Sequence, residues 1–168
     1  MKFILDFDRV IFDMDALYTE ISHTNPTAKL GTIESLDGIA LHKFLFPDAV
    51  DFFVQHQKET IEVVSSCFGK TGTWDLEYQR EKVKRSGVAQ FVHTVQVVEK
   101  DKVTVLRNVP KTERTVFVDD HPENAQAVAE ALPQITVLYL DRTGENKTPA
   151  NTTRITSLAD VDAIIESL

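Results

Sequence analysis

Residues 4–10, Ile4-Leu5-Asp6-Phe7-Asp8-Arg9-Val10, decide the fold. An apolar run leads straight into two carboxylates, and β-branched and aromatic residues dominate it, so Phe3 to Phe7 reads as a buried strand that delivers acidic groups at its end. The same pattern recurs at helix-sized intervals. Ile61 to Ser65 ends in a serine pair, Phe91 to Val98 is followed by Lys100 and Lys102, and Thr115 to Val118 runs into Asp119-Asp120. Ile135 to Leu140 completes a set of five strands.

Helical patterns lie between them. Pro47 to Lys58 places Val50, Phe53 and Val54 on one face, with Pro at its start. Asp75 to Arg85 is charged and stops before Gly87, Asp101 to Asn108 stops before Pro110, and Pro122 to Leu132 stops before Pro133. Ser157 caps a last helix whose buried stripe is Leu158, Val161, Ile164 and Ile165. Alternating strands and helices predict an α/β fold: a Rossmann-like three-layer sandwich around a mostly parallel five-stranded sheet.

Two stretches break the rhythm. Asp13 to Phe46 holds two expected helices, Asp15 to His23 and Ser35 to Phe44, and reads as a small helical insert at about residues 14–46, placed as a lid over the strand ends. Asp141 to Arg154 is polar and reads either as a rim of the site or as a mobile loop. The whole chain, 1–168, is expected to form one domain around one core.

The bulk numbers exclude several classes. An apolar fraction of 42% and a charged fraction of 26% are those of a soluble globular chain. A net charge of −8 argues against non-specific nucleic-acid binding. Apolar runs are too short for a membrane span, and carboxylates come too early for a signal peptide. The lone Cys67 fits a reducing, cytoplasmic setting. Nothing in the sequence sets the oligomeric state.

In such sheets ligands bind at the carboxyl ends of the strands. There Asp6, Asp8, Asp119 and Asp120 would converge, and four carboxylates cannot all stay ionised together without compensation. A hard divalent cation such as Mg²⁺ resolves the conflict, and a lysine adds a further positive charge. The same charges would neutralise a phosphoryl group in transfer. If the chain turns after Asp6, both Asp6 and Asp8 can approach that group, one attacking and the other handling the leaving group's proton. Crowding would raise one carboxyl pKa and help it hold that proton.

These elements, in this order, resemble the haloacid dehalogenase (HAD) superfamily. Asp6-Phe7-Asp8-Arg9-Val10 matches its first motif, Ser65 its second, Lys102 or Lys100 its third, and Asp119-Asp120 with Asn124 its fourth. Phe12-Asp13, the Phe46-Pro47-Asp48-Ala49 entry to a helix, and the run from Gln79 to Gly87 are similar to family segments as well. The resemblance implies that Asp6 is nucleophile and metal ligand. Asp8 would be general acid/base, with its main-chain carbonyl on the metal. Ser65 and Lys102, with Lys100 in reserve, would hold the phosphoryl oxygens, and Asp120, supported by Asp119, would ligate Mg²⁺.

The implied activity is a Mg²⁺-dependent phosphatase acting on a small phosphorylated metabolite through an aspartyl-phosphate. A phosphomutase on the same site, or a non-catalytic binding module on the same scaffold, are the alternatives, and a dehalogenase has no need of Asp8. Arg9, where many members have Gly, is expected to reach solvent or a local ion pair. His121 adjoins the acidic pair, whereas His23, His42, His56 and His93 read as structural or exposed. Cys67 reads as a small buried residue, Phe68 and Trp74 as core packing, and the Arg80 to Arg85 cluster as a solvated helix face.

Overall fold

The computed structural model describes residues 1–67 and 76–167. Phe68, Trp74 and Asp75 lie outside the described residues. Among the described residues six strands form one sheet: β1 (Lys2–Leu5), β2 (Thr60–Ser66), β3 (Thr94–Val98), β4 (Thr115–Asp119), β5 (Ile135–Leu140) and β6 (Thr153–Ile155). Their order is β3-β2-β1-β4-β5-β6, and every adjacent pair is parallel. The helices are α1 (Met14–Thr24), α2 (Pro47–Gln55), α3 (Leu76–Ser86), α4 (Lys102–Leu106), α5 (Pro122–Ala131) and α6 (Val161–Ser167).

The sheet is α/β and parallel as expected, with one strand more. The sixth strand, Thr-Arg-Ile, is too short to show a period, and it pairs with Leu138 to Leu140 at the sheet edge. The third strand is shorter than expected because the Phe91 ring stacks on Phe53, with centroids 5.6 Å apart, instead of entering the sheet.

Alternation along β1 explains why both faces are covered. Phe3 and Leu5 join one core with Phe52, Phe53, Val116 and Val118, while Ile4 joins the opposite core with Val64, Phe117, Val128 and Val137. Phe3 sits edge-on to Phe52 with ring centroids 5.0 Å apart. Central placement of β1, between β2 and β4, fixes Asp6 and Asp119 on neighbouring strand ends.

The segment at 14–46 departs from two helices. Its first half is α1, capped by Asp13, whose carboxylate accepts from Ala16 N at 2.9 Å. Its second half is two short 3-10 turns, Ile33–Leu36 and Leu41–Phe44. Gly38, at φ +75°, lies between them in a left-handed conformation that a continuous helix cannot contain. The segment packs on α3, where Arg85 Nη1 donates to Leu36 O at 3.4 Å and pairs with Asp37 at 3.2 Å.

Arg142, after β5, ties three parts of the chain together. Its guanidinium grips both oxygens of Asp48 at 3.0 and 3.2 Å, donates to the carbonyls of Arg9 and Val10, and lies 3.7 Å from the Phe46 ring centroid. Asp48 also accepts from Ser157 Oγ and Leu158 N, at the entry to α6. Burial works against the Asp48 charge, yet these donors outweigh it and lower its pKa. Asp48→Asn keeps the size but loses the charge-assisted fork. It is expected to lower the unfolding free energy by about 2 kcal/mol, read from urea denaturation.

Candidate active site

The chain turns immediately after β1. Asp6 N still bonds to Val118 O at 2.9 Å, and then Ile11 N and Phe12 N both return to Phe7 O at 3.0 Å. Arg9 occupies the tip of this turn at φ +59°, a strained position for a residue with a Cβ. The turn sends Asp6 and Asp8 to different partners.

Asp6 faces the acidic pair after β4. Single oxygens of Asp6, Asp119 and Asp120 lie within 4.8 Å of one another, with Asp119 fully buried. Lys102, the first residue of α4, is 2% exposed and brings Nζ to 2.5 Å from Asp6 Oδ1 and 3.8 Å from Asp119. It also donates to Val64 O. Asp101 caps α4 through Thr104 N at 2.8 Å, which sets the direction in which Lys102 leaves the helix. Lys100 is exposed, and its carbonyl accepts from Ser66 Oγ. The Lys102 pKa is raised: burial opposes the charge, and Asp6 and Asp119 overrule it.

Asp119 is held by His121 N at 2.8 Å and by Asn124 Nδ2 at 3.4 Å, while the His121 side chain is exposed. Desolvation, followed by repulsion from Asp6, raises the pKa values of both Asp119 and Asp120. The sign of the linkage follows. Carboxyls whose folded pKa is raised stabilise the protein below their unfolded value near 4, and that contribution is lost as pH rises towards neutrality. The metal-free protein is therefore expected to lose thermal stability between about pH 4 and about 8 relative to Asp120→Asn, measured by parallel melting scans.

Asp8 turns away from the acidic group. Lys82 Nζ reaches Asp8 Oδ1 at 2.7 Å, and Gln79 Nε2 reaches Asp8 Oδ2 at 2.7 Å and Ser65 Oγ at 2.7 Å. Lys82 is fully buried, so the expectation of a solvated face from Arg80 to Arg85 fails there, although Arg80 and Lys84 are exposed. Burial lowers the Lys82 pKa, and Asp8 partly offsets this. Sequence reasoning missed Gln79 and Lys82 as site residues. The available signal was position: Tyr78, Gln79, Lys82, Val83 and Ser86 form one buried helical stripe, and a lysine inside such a stripe needs a partner.

Arg9 pairs with Asp15 at 3.1 Å on the surface. It borders a cleft of about 230 Å³ walled further by Phe46, Asp120, Tyr139, Arg142 and Asn146. Asp141, Arg142, Thr143 and Asn146 thus form part of the rim of this cleft. Burial works against the Asp141 charge, yet bonds from Thr143 and Asn146 outweigh it and hold the carboxyl at about 2. Cys67 is half-buried, and desolvation pushes its thiol up, away from the reactive thiolate.

The donor set fits a hard cation. Counted as ionised, Asp6, Asp8, Asp119 and Asp120 meet Lys82 and Lys102, an excess of negative charge that one divalent ion would cancel. All three clustered ligand atoms are carboxylate oxygens, the set preferred by Mg²⁺. Among the described residues, no helix is long and apolar enough to cross a membrane.

No protein-family model matches the chain, and no curated protein matches it in sequence. Solved structures do match. A haloacid dehalogenase-like hydrolase from Burkholderia xenovorans superposes with a TM-score of 0.69 at 16% identity, over 95% of this chain and 96% of that one. The L-2-haloacid dehalogenase of Xanthobacter autotrophicus gives 0.65 at 10% identity, over 99% and 98%. The D,D-heptose 1,7-bisphosphate phosphatase of Burkholderia thailandensis gives 0.58 at 14% identity, over 99% of both chains. With its parallel sheet, its strand-end carboxylates and these neighbours, the chain has the haloacid dehalogenase-like fold.

Proposed function

We propose that the chain is a Mg²⁺-dependent phosphatase that hydrolyses a small phosphorylated metabolite through an aspartyl-phosphate on Asp6. The observation that carries this reading is the meeting of Asp6, Asp119 and Asp120 within 4.8 Å, with Lys102 at 2.5 Å from Asp6. A dehalogenating site has no use for such a concentration of negative charge, whereas phosphoryl transfer needs a cation to screen the substrate.

Asp6 attacks phosphorus, the P–O bond to the leaving group breaks, and Asp8, which enters this step protonated, gives its proton to the leaving oxygen. Water then attacks the aspartyl-phosphate, Asp8 takes its proton, and inorganic phosphate departs. Lys102 and the Ser65 hydroxyl bind the phosphoryl oxygens and spread their charge. Bound Mg²⁺, held by Asp6, Asp119 and Asp120 with the Asp8 main-chain carbonyl, would supply electrostatic stabilisation of the transferred group. The leaving group occupies the cleft beside Arg9 and Asn146, and residues 14–46 act as a small cap that contributes Asp15 and Phe46 to its wall.

The test is hydrolysis of an aryl phosphate and of a panel of small phosphate esters, with and without Mg²⁺, beside chloride release from 2-chloropropionate. Phosphate release that requires Mg²⁺ is the expected result. Chloride release without phosphate release would overturn the reading in favour of dehalogenation, and inactivity on both would favour a binding module.

A further inference from the structure

Helix α3 reaches the site from outside the ring of strand ends. Gln79 and Lys82 stand three positions apart and share one helix face, and both are buried, at 1% and 0% exposure. Between them they supply a separate donor to each carboxylate oxygen of Asp8, both at 2.7 Å. The same Gln79 amide spans to Ser65 Oγ, also at 2.7 Å. One side chain thus sets the spacing between a residue at the end of β2 and one on the turn after β1.

Two observations show that this arrangement is held at a cost. Lys82 is enclosed by the rings of Tyr78, Phe7 and Phe12, with Nζ 5.4, 5.8 and 6.0 Å from their centroids, and by Met14 Sδ at 2.9 Å. An ammonium in such surroundings is stabilised by cation–π attraction and by its carboxylate, which offset its dehydration. Gln79 Oε1, at the other end of the amide, is buried with no hydrogen-bond partner among the described residues. Leaving an acceptor unsatisfied costs about 1–3 kcal/mol. Leu or Met at both positions would pack without either penalty.

We propose that Gln79 and Lys82 are positioning residues, which fix the Asp8 carboxylate and the Ser65 hydroxyl in register with Asp6. The proposal rests on the phosphoryl-transfer reading above. A carboxylate that serves the leaving group in one step and water in the next must stay in reach of both, and a misplacement of about 1 Å can cost on the order of 10²-fold in rate. Two donors from one rigid helix face restrict the Asp8 side chain to a single orientation.

The test is a set of variants, Gln79→Met and Lys82→Met, each made in the parent and in Asp8→Asn, with kcat and KM measured on an aryl phosphate. In the parent each is expected to lower kcat by about 10- to 100-fold while KM moves by no more than about 2-fold. In the Asp8→Asn background Lys82→Met should not lower kcat further by more than about 2-fold, because the group it holds no longer acts, and Gln79→Met should keep only the smaller part of its loss that comes through Ser65. Equal losses in both backgrounds would overturn the positioning role and leave a purely structural one. Should Lys82→Met fail to fold, Gln79→Met alone decides the matter. A parent chain that turns over no phosphate ester overturns the phosphoryl-transfer reading itself, a different result from additive losses in an active enzyme. Independently of turnover, the Gln79 side-chain amide resonances are expected to shift on Asp8→Asn, and unshifted resonances would overturn the contact.

Discussion

Asp6→Asn is expected to lower Mg²⁺-dependent hydrolysis of an aryl phosphate by at least about 10³-fold. The amide is nearly the same size, so the turn after β1 and the bond from Asp6 N to Val118 O have no reason to change. What disappears is a carboxylate that belongs to the acidic cluster and lies 2.5 Å from Lys102 Nζ. Loss of the proposed nucleophile removes the covalent route. Loss of one charge relieves repulsion on Asp119 and Asp120 but takes from buried Lys102 its partner at 2.5 Å, so the metal-free variant should melt below the parent. Initial rates and acid-quenched phosphoprotein measure the first effect, and thermal melting the second. Residual turnover above about one per cent of the parent's, without trapped phosphoprotein, would mean that Asp6 serves only as a ligand.

Lys102→Met is expected to damage both stability and rate. The methionine fills similar space, but Asp6 loses its ion pair and Val64 O loses a donor. Removing one partner of a buried pair costs about 3–5 kcal/mol, because the other charge stays behind without compensation. The loss should appear as a lower urea midpoint in metal-free buffer. Mg²⁺ at about a hundred times its dissociation constant should return about 2.7 kcal/mol by binding the folded state alone. The rate should fall by about 10²- to 10³-fold even with metal present, the usual consequence of removing a cationic or hydrogen-bonding group from the transition state. An unchanged urea midpoint would show that the Lys102–Asp6 pair contributes nothing to the fold.

The strands were readable because parallel strands buried on both faces need continuous apolar runs, and Ile4-Leu5, Val63-Val64 and Val116-Phe117-Val118 are such runs. The groups that end those runs were readable for the same reason. Lys102 could be favoured over Lys100 because Val105 and Leu106 follow it at helical spacing, and Leu106 is indeed buried. The second half of the insert was not readable as helix or turn from its apolar spacing alone, since Leu36 and Leu41 are both buried whether or not the helix is continuous. Gly38 carried the correction. Strand β6 has no inward-outward pattern over three residues, and its place comes from pairing with β5. Gln79 and Lys82 were hidden by their neighbours: Arg80, Glu81, Lys84 and Arg85 give the run the charge pattern of a water-facing helix. The carboxylate that draws Lys82 inward lies on the first turn of the chain, a relation that only the folded sheet creates.

The central position of β1 also bears on how the molecule assembles. The first segment of the chain pairs on one side with β2 and on the other with β4, so Leu5 finds Val63 and Val118 as its neighbours. Contacts this distant in sequence close large loops before they yield any gain, which slows folding. A nascent chain that has not yet extended to Asp119 can bring together β1, β2 and β3, but it exposes the bare edge of β1 with Asp6 beside it. The cluster of Asp6, Asp119 and Asp120 therefore comes into being only with the docking of β4, and a divalent ion drawn to it could act on assembly no earlier than that step.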